Sequence, residues 1–302
     1  MRFLLDNRFF LLLLFYVAMP QAQAQGGLDT EKYRQQLGRL TSPELQEVSG
    51  LVASRKYPGL FWGHNDSGDD ARIFLIDSLA QLKFTCNLDG VAAVDCEDIA
   101  WVEIDGKSHL VLADIGDNLG KRPYTTLYVF EEPEIDTHLP HGTVSNSAIR
   151  SIKVMYPTGP KDAEALIIDP ISKKLIIFSK RELRSGIYIT DFFQAWENQQ
   201  AILTKAGELG FNFVTAADVS ADGQQIIVKN LLNIYYWQID SKRGWTLTMQ
   251  RPYIKLRYDA EAQGEAICFG IDAQSFYTLS ERPFGLSSYL YRYNLKYYDQ
   301  TN

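Results

Sequence analysis

Apolar residues along this chain either alternate with polar ones or run together in short stretches rich in Val, Ile, Leu, Phe and Tyr. Such runs, bounded by Gly, Pro, Asp and Asn, predict β-strands. Long stretches of helical periodicity are scarce. The strands recur in a fixed order. Five segments open alike: EVSGLVAS (47–54), EDIAWVEI (97–104), EALIIDP (164–170), TAADVSADG (215–223) and EAICFGI (265–271). A turn follows in most, then a second apolar strand: GLFWG, HLVLA, KLIIF, QQIIV and SFYTL. A polar loop leads to a third strand: RIFLID, TTLYVFEE, GIYIT, NIYYWQID and SYLYRYNL. Edge-like segments such as QLKFTCNL and AIRSIKVMY fill the space before the next unit.

Counted from residues 47, 97, 164, 218 and 265, the units are spaced by 50, 67, 54 and 47 residues. That is the size of a four-stranded propeller blade, with an insertion in the second unit. The fifth unit lacks a fourth strand, because the chain ends at YYDQTN. The segment KYRQQLGRLTS ahead of unit one is free to supply it and close the ring, protecting the sheet edges. The expectation is an all-β, five-bladed β-propeller closed by an N-terminal strand. A six-bladed ring is the alternative, with a blade in 130–160 or 190–215. DFFQAWENQQ (191–200) reads as a short helical insertion.

The N-terminus has its own pattern. Arg2 and Arg8 flank a short start, FFLLLLFYVAM follows, and Ala22-Gln23-Ala24 supplies small residues at a cleavage spacing. Residues 1–24 read as a signal peptide and 25–302 as one domain, so the protein is expected to be exported, periplasmic or secreted. No later segment is long and apolar enough to span a membrane. The net charge of −7 argues against binding a nucleic-acid polymer, which needs a basic face. The expected partner is an anionic small molecule or an envelope ligand, met by a monomer. Cys86 and Cys96 bracket a short loop, and a bridge between them is as plausible as two free thiols. Cys268, in EAICFGI, reads as a buried core thiol.

First strands of blades line a central channel, so equivalent positions form a ring. The candidates are Glu47 or Ser49, Glu97 or Asp98, Glu164, Thr215 or Asp218, and Glu265. Carboxylates around one axis repel unless a cation compensates, and Ca²⁺ accepts six to eight hard oxygens in loose geometry. Zinc would want His or Cys. The loops after the second strands, beginning with HNDSGDD (64–70), crowd the channel mouth. That mouth carries Asn65, Asp66, Asp114, Asp117 and Asn118 together with Arg122, Lys180, Arg181, Glu281 and Arg282. Asp66, Asp114 and Asp117 are candidate catalytic or second-metal acids. Asn65, Asn118, Arg122, Lys180, Arg181 and Arg282 are candidate substrate contacts. Such loops also serve as ordinary solvated turns. No GxSxG elbow accompanies the four His, so serine-triad chemistry lacks support.

The set HNDSG, EDIA, DIGDN, DAEAL, ADVSADG and QGEAI resembles a group of exported bacterial β-propeller proteins carrying phytase-like or esterase-like labels. The blade starts are also similar to those of the calcium-dependent apyrases, secreted five-bladed propellers that hydrolyse nucleoside di- and triphosphates. That family rings its Ca²⁺ with Ser, Glu, Glu, Ser and Glu from successive blades. The resemblance implies Ser49, Glu97, Glu164, Thr215 and Glu265 as metal ligands here, with Thr replacing one Ser, and Asp66 near an acidic pair. The apyrase substrate loops have no clear counterpart. The acidic motifs of the six-bladed phytase-like propellers are not evident either. The resemblance therefore implies a calcium-dependent hydrolase of phosphate esters or phosphoanhydrides. The alternative is a non-catalytic ligand-binding propeller with structural calcium.

Overall fold

A computed structural model describes residues 33–136, 138–240 and 244–298. Residues 1–24, read as a signal peptide, lie outside them. The strands are β1 (Arg34–Arg39), β2 (Val48–Ala53), β3 (Leu60–Asn65), β4 (Arg72–Asp77), β5 (Leu82–Leu88), β6 (Asp98–Ile104), β7 (Lys107–Asp114) and β8 (Thr125–Glu131). They continue with β9 (His141–Val144), β10 (Arg150–Met155), β11 (Ala163–Ile168), β12 (Lys174–Ser179) and β13 (Gly186–Asp191). After helix α1 (Phe192–Asn198) come β14 (Gln200–Ile202), β15 (Thr204–Glu208), β16 (Val214–Val219), β17 (Gln225–Asn230) and β18 (Ile234–Gln238). Helix α2 (Gly244–Met249) precedes β19 (Ile254–Leu256), β20 (Ala266–Phe269), β21 (Ser275–Leu279) and β22 (Tyr289–Asn294).

These strands form five sheets, and the sheets are the blades of a five-bladed propeller. The inner strands β2, β6, β11, β16 and β20 stand next to one another around the axis, with β20 returning to β2. The inner strands are apolar on both sides because both faces of each blade are covered. Leu51 and Ala53 pack toward blade five, while Val52 packs toward blade two. Leu166 and Ile168 face blade two, while Ala165 and Ile167 face blade four. The core is thus five apolar layers, one between each pair of blades. A fully buried Leu or Ile in such a layer contributes about 1.5–3 kcal/mol.

The ring closes where the alternation predicts. β1 pairs antiparallel with β22, completing blade five with a strand from the other end of the chain. The Tyr33 hydroxyl donates to Asp259 at 3.0 Å, Arg34 pairs with the same carboxylate at 3.2 Å, and the Arg34 guanidinium lies 3.6 Å from the Tyr291 ring centre. Between β6 and β7, Asp105 and Gly106 both take positive φ (51° and 74°), the two-residue hairpin that an Asp-Gly pair favours.

The six-bladed alternative is excluded, and the segments proposed for it have another role. β9 leaves blade two and adds in parallel to β5 of blade one. β14, delivered by α1, leaves blade three and adds in parallel to β10 of blade two. Each covers the outer edge of the preceding blade. No Cys86–Cys96 bridge forms. Cys86 lies on the fourth strand of blade one and Cys96 just ahead of blade two, and both stay free in the layer between those blades. Cys268 is a buried core thiol, as its setting predicted.

Gly38 of β1 presses against the backbone of Leu79, where a β-carbon would overlap the main chain. Gly38→Ala should therefore loosen the closing strand and cost about 1–3 kcal/mol. Denaturant unfolding should show this loss, while Gln36→Ala on the same strand stays close to wild type.

Candidate functional site

Each inner strand begins at the same end of the channel, and three of them start irregularly. In β2, β11 and β16 the pairing skips one residue, and the skipped residues are Ser49, Glu164 and Thr215. A bulge leaves such a residue out of the ladder and re-aims its side chain. Glu97 and Glu265 stand immediately before β6 and β20. All five are buried. Ser49 Oγ donates to the Glu97 carbonyl at 3.0 Å. Glu164 is ion-paired with Lys180. Thr215 Oγ1 is buried and has no hydrogen-bond partner among the described residues.

The neighbouring choices resolve cleanly. Glu47 is exposed, whereas Ser49 is buried. Asp98 turns away from the mouth: its carboxylate accepts the backbone N–H of Ile99 at 2.8 Å and of Leu166 in blade three at 2.9 Å. Asp218 repeats the device between blades four and five, accepting from Val219 at 2.7 Å and Phe269 at 2.6 Å. These two acids staple blades together.

The carboxylates that converge come from blades five, one and two. Asp66, Asp95 and Glu97 each place an oxygen within 4.8 Å of the others, and so do Asp66, Glu265 and Glu281. Asp66 is common to both groups. The backbone of Gly116, in the IGDN loop, lies directly beneath the Glu97 and Asp95 carboxylates, and a β-carbon there would overlap both. That explains why the loop carries Gly at this point without needing positive φ.

Burial and mutual repulsion raise the proton affinity of this cluster. Burial, then the charges of Glu265 and Asp95, push Asp66 up to about 6 against the opposing Ser67 N–H bond. Burial first, then Glu164, Asp66 and Asp95, hold Glu97 well above the usual carboxylate range. Burial and Glu265 do the same for Glu281. Glu164 is also raised by burial, although Lys180 opposes the shift. Lys180, partly buried, is held protonated by Glu164, Glu265 and Glu97 against the cost of desolvation.

The other candidates hold the loops in shape. Asp114 is buried, pairs with Arg122 at 2.7 Å and accepts the backbone N–H of Asp95 at 2.9 Å. It therefore positions Asp95 and does not join the cluster. Asp117 accepts the N–H groups of Lys121 and Arg122, both at 2.9 Å, closing its own turn. Asn65 bonds Glu47 N, Glu44 O and Asp69. Asp69 of the HNDSGDD stretch, with Glu44, clamps Arg72 at the start of β4. Arg181 bonds Asp162 at 2.6 Å and also Asn118. Arg282 donates to the Ser42 carbonyl at 2.9 Å. Asp95 was missed from the sequence, although its place two residues before Glu97 in VDCEDIA was a usable signal. Glu281 was placed at the mouth but not among the ligands.

No family model matches the chain, and no curated protein matches it. What is defined is a class: a five-bladed propeller with an acidic channel mouth that holds the partly buried Lys180. Among the described residues no helix is long and apolar enough to cross a membrane.

Carboxylates whose proton affinity rises on folding favour the folded state at low pH and withdraw that support as pH rises through their folded values. In chelator, Tm should therefore fall as pH is raised from about 5 to about 8. A thermal-melt series across that pH range would read the slope. Gly116→Ala should force the Asp95 and Glu97 carboxylates apart and cost about 1–3 kcal/mol of stability. Denaturant unfolding beside the wild type would measure it.

Proposed function

We propose that this protein is an exported, calcium-binding propeller that hydrolyses phosphate esters or phosphoanhydrides at the channel mouth. The observation that carries the reading is the convergence of Asp66, Asp95, Glu97, Glu265 and Glu281 at one place, with Lys180 beside them. Such a cluster calls for a cation. Its donors are all carboxylate oxygens, which suits Ca²⁺ better than Zn²⁺. The unpartnered Thr215 hydroxyl and the space left by Gly116 fit the same demand. The resemblance of the blade starts to calcium-dependent apyrases, and of the motifs to exported bacterial propellers, points the same way.

Asp95, Glu97, Glu265 and Glu281 would hold the ion, with Ser49, Glu164 and Thr215 contributed by the inner strands. When bound, the ion neutralises the carboxylates and binds an anionic phosphoryl oxygen. Asp66, common to both carboxylate groups, takes a proton from the attacking water. Lys180 supplies positive charge to the phosphoryl oxygens. Asp114 positions Asp95, and Asp117 shapes the turn that presents Arg122.

A second reading, a non-catalytic propeller with structural calcium, is favoured by the internal hydrogen bonds that engage Asn65, Asp114, Asp117 and Arg122. Phosphate release from nucleotides and phosphomonoesters, with calcium and in chelator, separates the two. The first reading expects calcium-dependent release that Asp66→Asn lowers by about a hundredfold while calcium still binds. Calcium binding without release selects the second reading. A protein that neither contains nor binds calcium contradicts both.

A further inference from the structure

The loops at the mouth carry a second feature, which the metal reading does not use. On the β7–β8 loop Leu119 is 76% exposed, and on the β12–β13 loop Leu183 is 92% exposed. Phe213, just before β16, is 52% exposed and is held at a φ of 55°. Leu232, between β17 and β18, is 69% exposed. These tips belong to neighbouring blades and face the same way, because each sits where a second strand ends or a first strand begins.

They are also fastened to one another. Arg181 bonds Asn118 across the first two loops. The Phe213 N–H donates to the Lys180 carbonyl at 3.2 Å, and the Asn212 side chain reaches the Leu183 carbonyl at 3.5 Å. Asn230 donates to the Asn212 carbonyl at 3.3 Å. The result is one continuous rim over blades two, three and four, built from protruding side chains.

The charge beside these tips has one sign. The exposed charged residues of the β7–β8 and β12–β13 loops are Lys121, Arg181 and Arg184. The acids of the same loops are turned inward: Asp117 closes its turn, and Glu182 accepts from Ser179 and Tyr188. Separate, protruding Leu and Phe tips flanked by Lys and Arg suit a bilayer interface. There the apolar tips enter the acyl boundary and the cations meet lipid phosphates. A protein partner would instead call for a broad packed patch.

We propose that this rim docks the propeller onto an anionic membrane surface, with Leu119, Leu183 and Phe213 inserted and Lys121, Arg181 and Arg184 on the headgroups. The proposal does not depend on the metal. Its test is co-sedimentation in chelator with vesicles of phosphatidylcholine alone and of phosphatidylcholine mixed with phosphatidylglycerol. Wild type should bind the mixed vesicles, more weakly at high salt, and should bind neutral vesicles far less. The double variant Leu119→Ser/Leu183→Ser and the double variant Lys121→Glu/Arg184→Glu should each lower binding by about tenfold or more. All four positions are exposed, and an unchanged Tm in both variants keeps the comparison valid. No binding to mixed vesicles overturns the proposal and leaves the rim to an acidic protein partner. Equal binding to neutral vesicles overturns it, and so does full binding by both variants.

Discussion

Pairing of β1 with β22 is the interaction on which the other features rest. It joins residues more than two hundred positions apart, through the ladder and through Tyr33, Arg34 and Asp259. Without it, blade five would lack its outer strand and leave the edge of β22 open. Closure also brings β20 against β2. That contact is what places Asp66 of blade one within reach of Glu265 and Glu281 of blade five. The acidic mouth is therefore a product of ring closure, and the apolar layer between blades five and one is what holds it in place.

Identical side chains meet different fates around this ring, and the reason is the partner each finds. Asp98 is buried and Asp218 partly buried, and each accepts two backbone N–H groups, one from its own strand and one from the next blade. A carboxylate so bonded is a structural staple. Glu97, one residue before Asp98, faces other carboxylates, and burial plus repulsion dominate its environment. Lys180 relieves Glu164 but cannot neutralise the whole cluster. An ammonium is a single charge against several, so the remaining carboxylates raise one another's proton affinity.

The loops of the same face divide their labour. Inward-facing polar groups set the loop shape: Asp114 fixes Asp95 and Arg122, Asp117 caps its turn, and Asp162 receives both Asp117 N and Arg181. Because those groups satisfy one another, the tips beyond them are free to project Leu119 and Leu183. Rigid loops on a rigid ring keep the acidic centre and the basic, apolar rim apart on one face.

Much of this architecture was legible from period-two alternation, the recurring unit spacing and turn pairs such as Asp105-Gly106. Those signals are local, and they specified blade number, the closing strand, the helix near Phe192 and the face carrying the mouth. The polar starts of the inner strands were legible for the same reason, since Ser49, Glu97, Glu164, Thr215 and Glu265 recur at one place in each unit. Tertiary structure alone decided which of two adjacent acids reaches the channel. Glu97 and Asp98 are adjacent, and which of them reaches the channel depends on where the β6 ladder starts, which is at Asp98. It also decided that Asp95 and Glu281 join Asp66, that β9 and β14 cover the edges of preceding blades, and that Cys86 and Cys96 stay apart. Each of these depends on where distant segments are brought once the ring has closed, and a linear pattern carries no record of that distance.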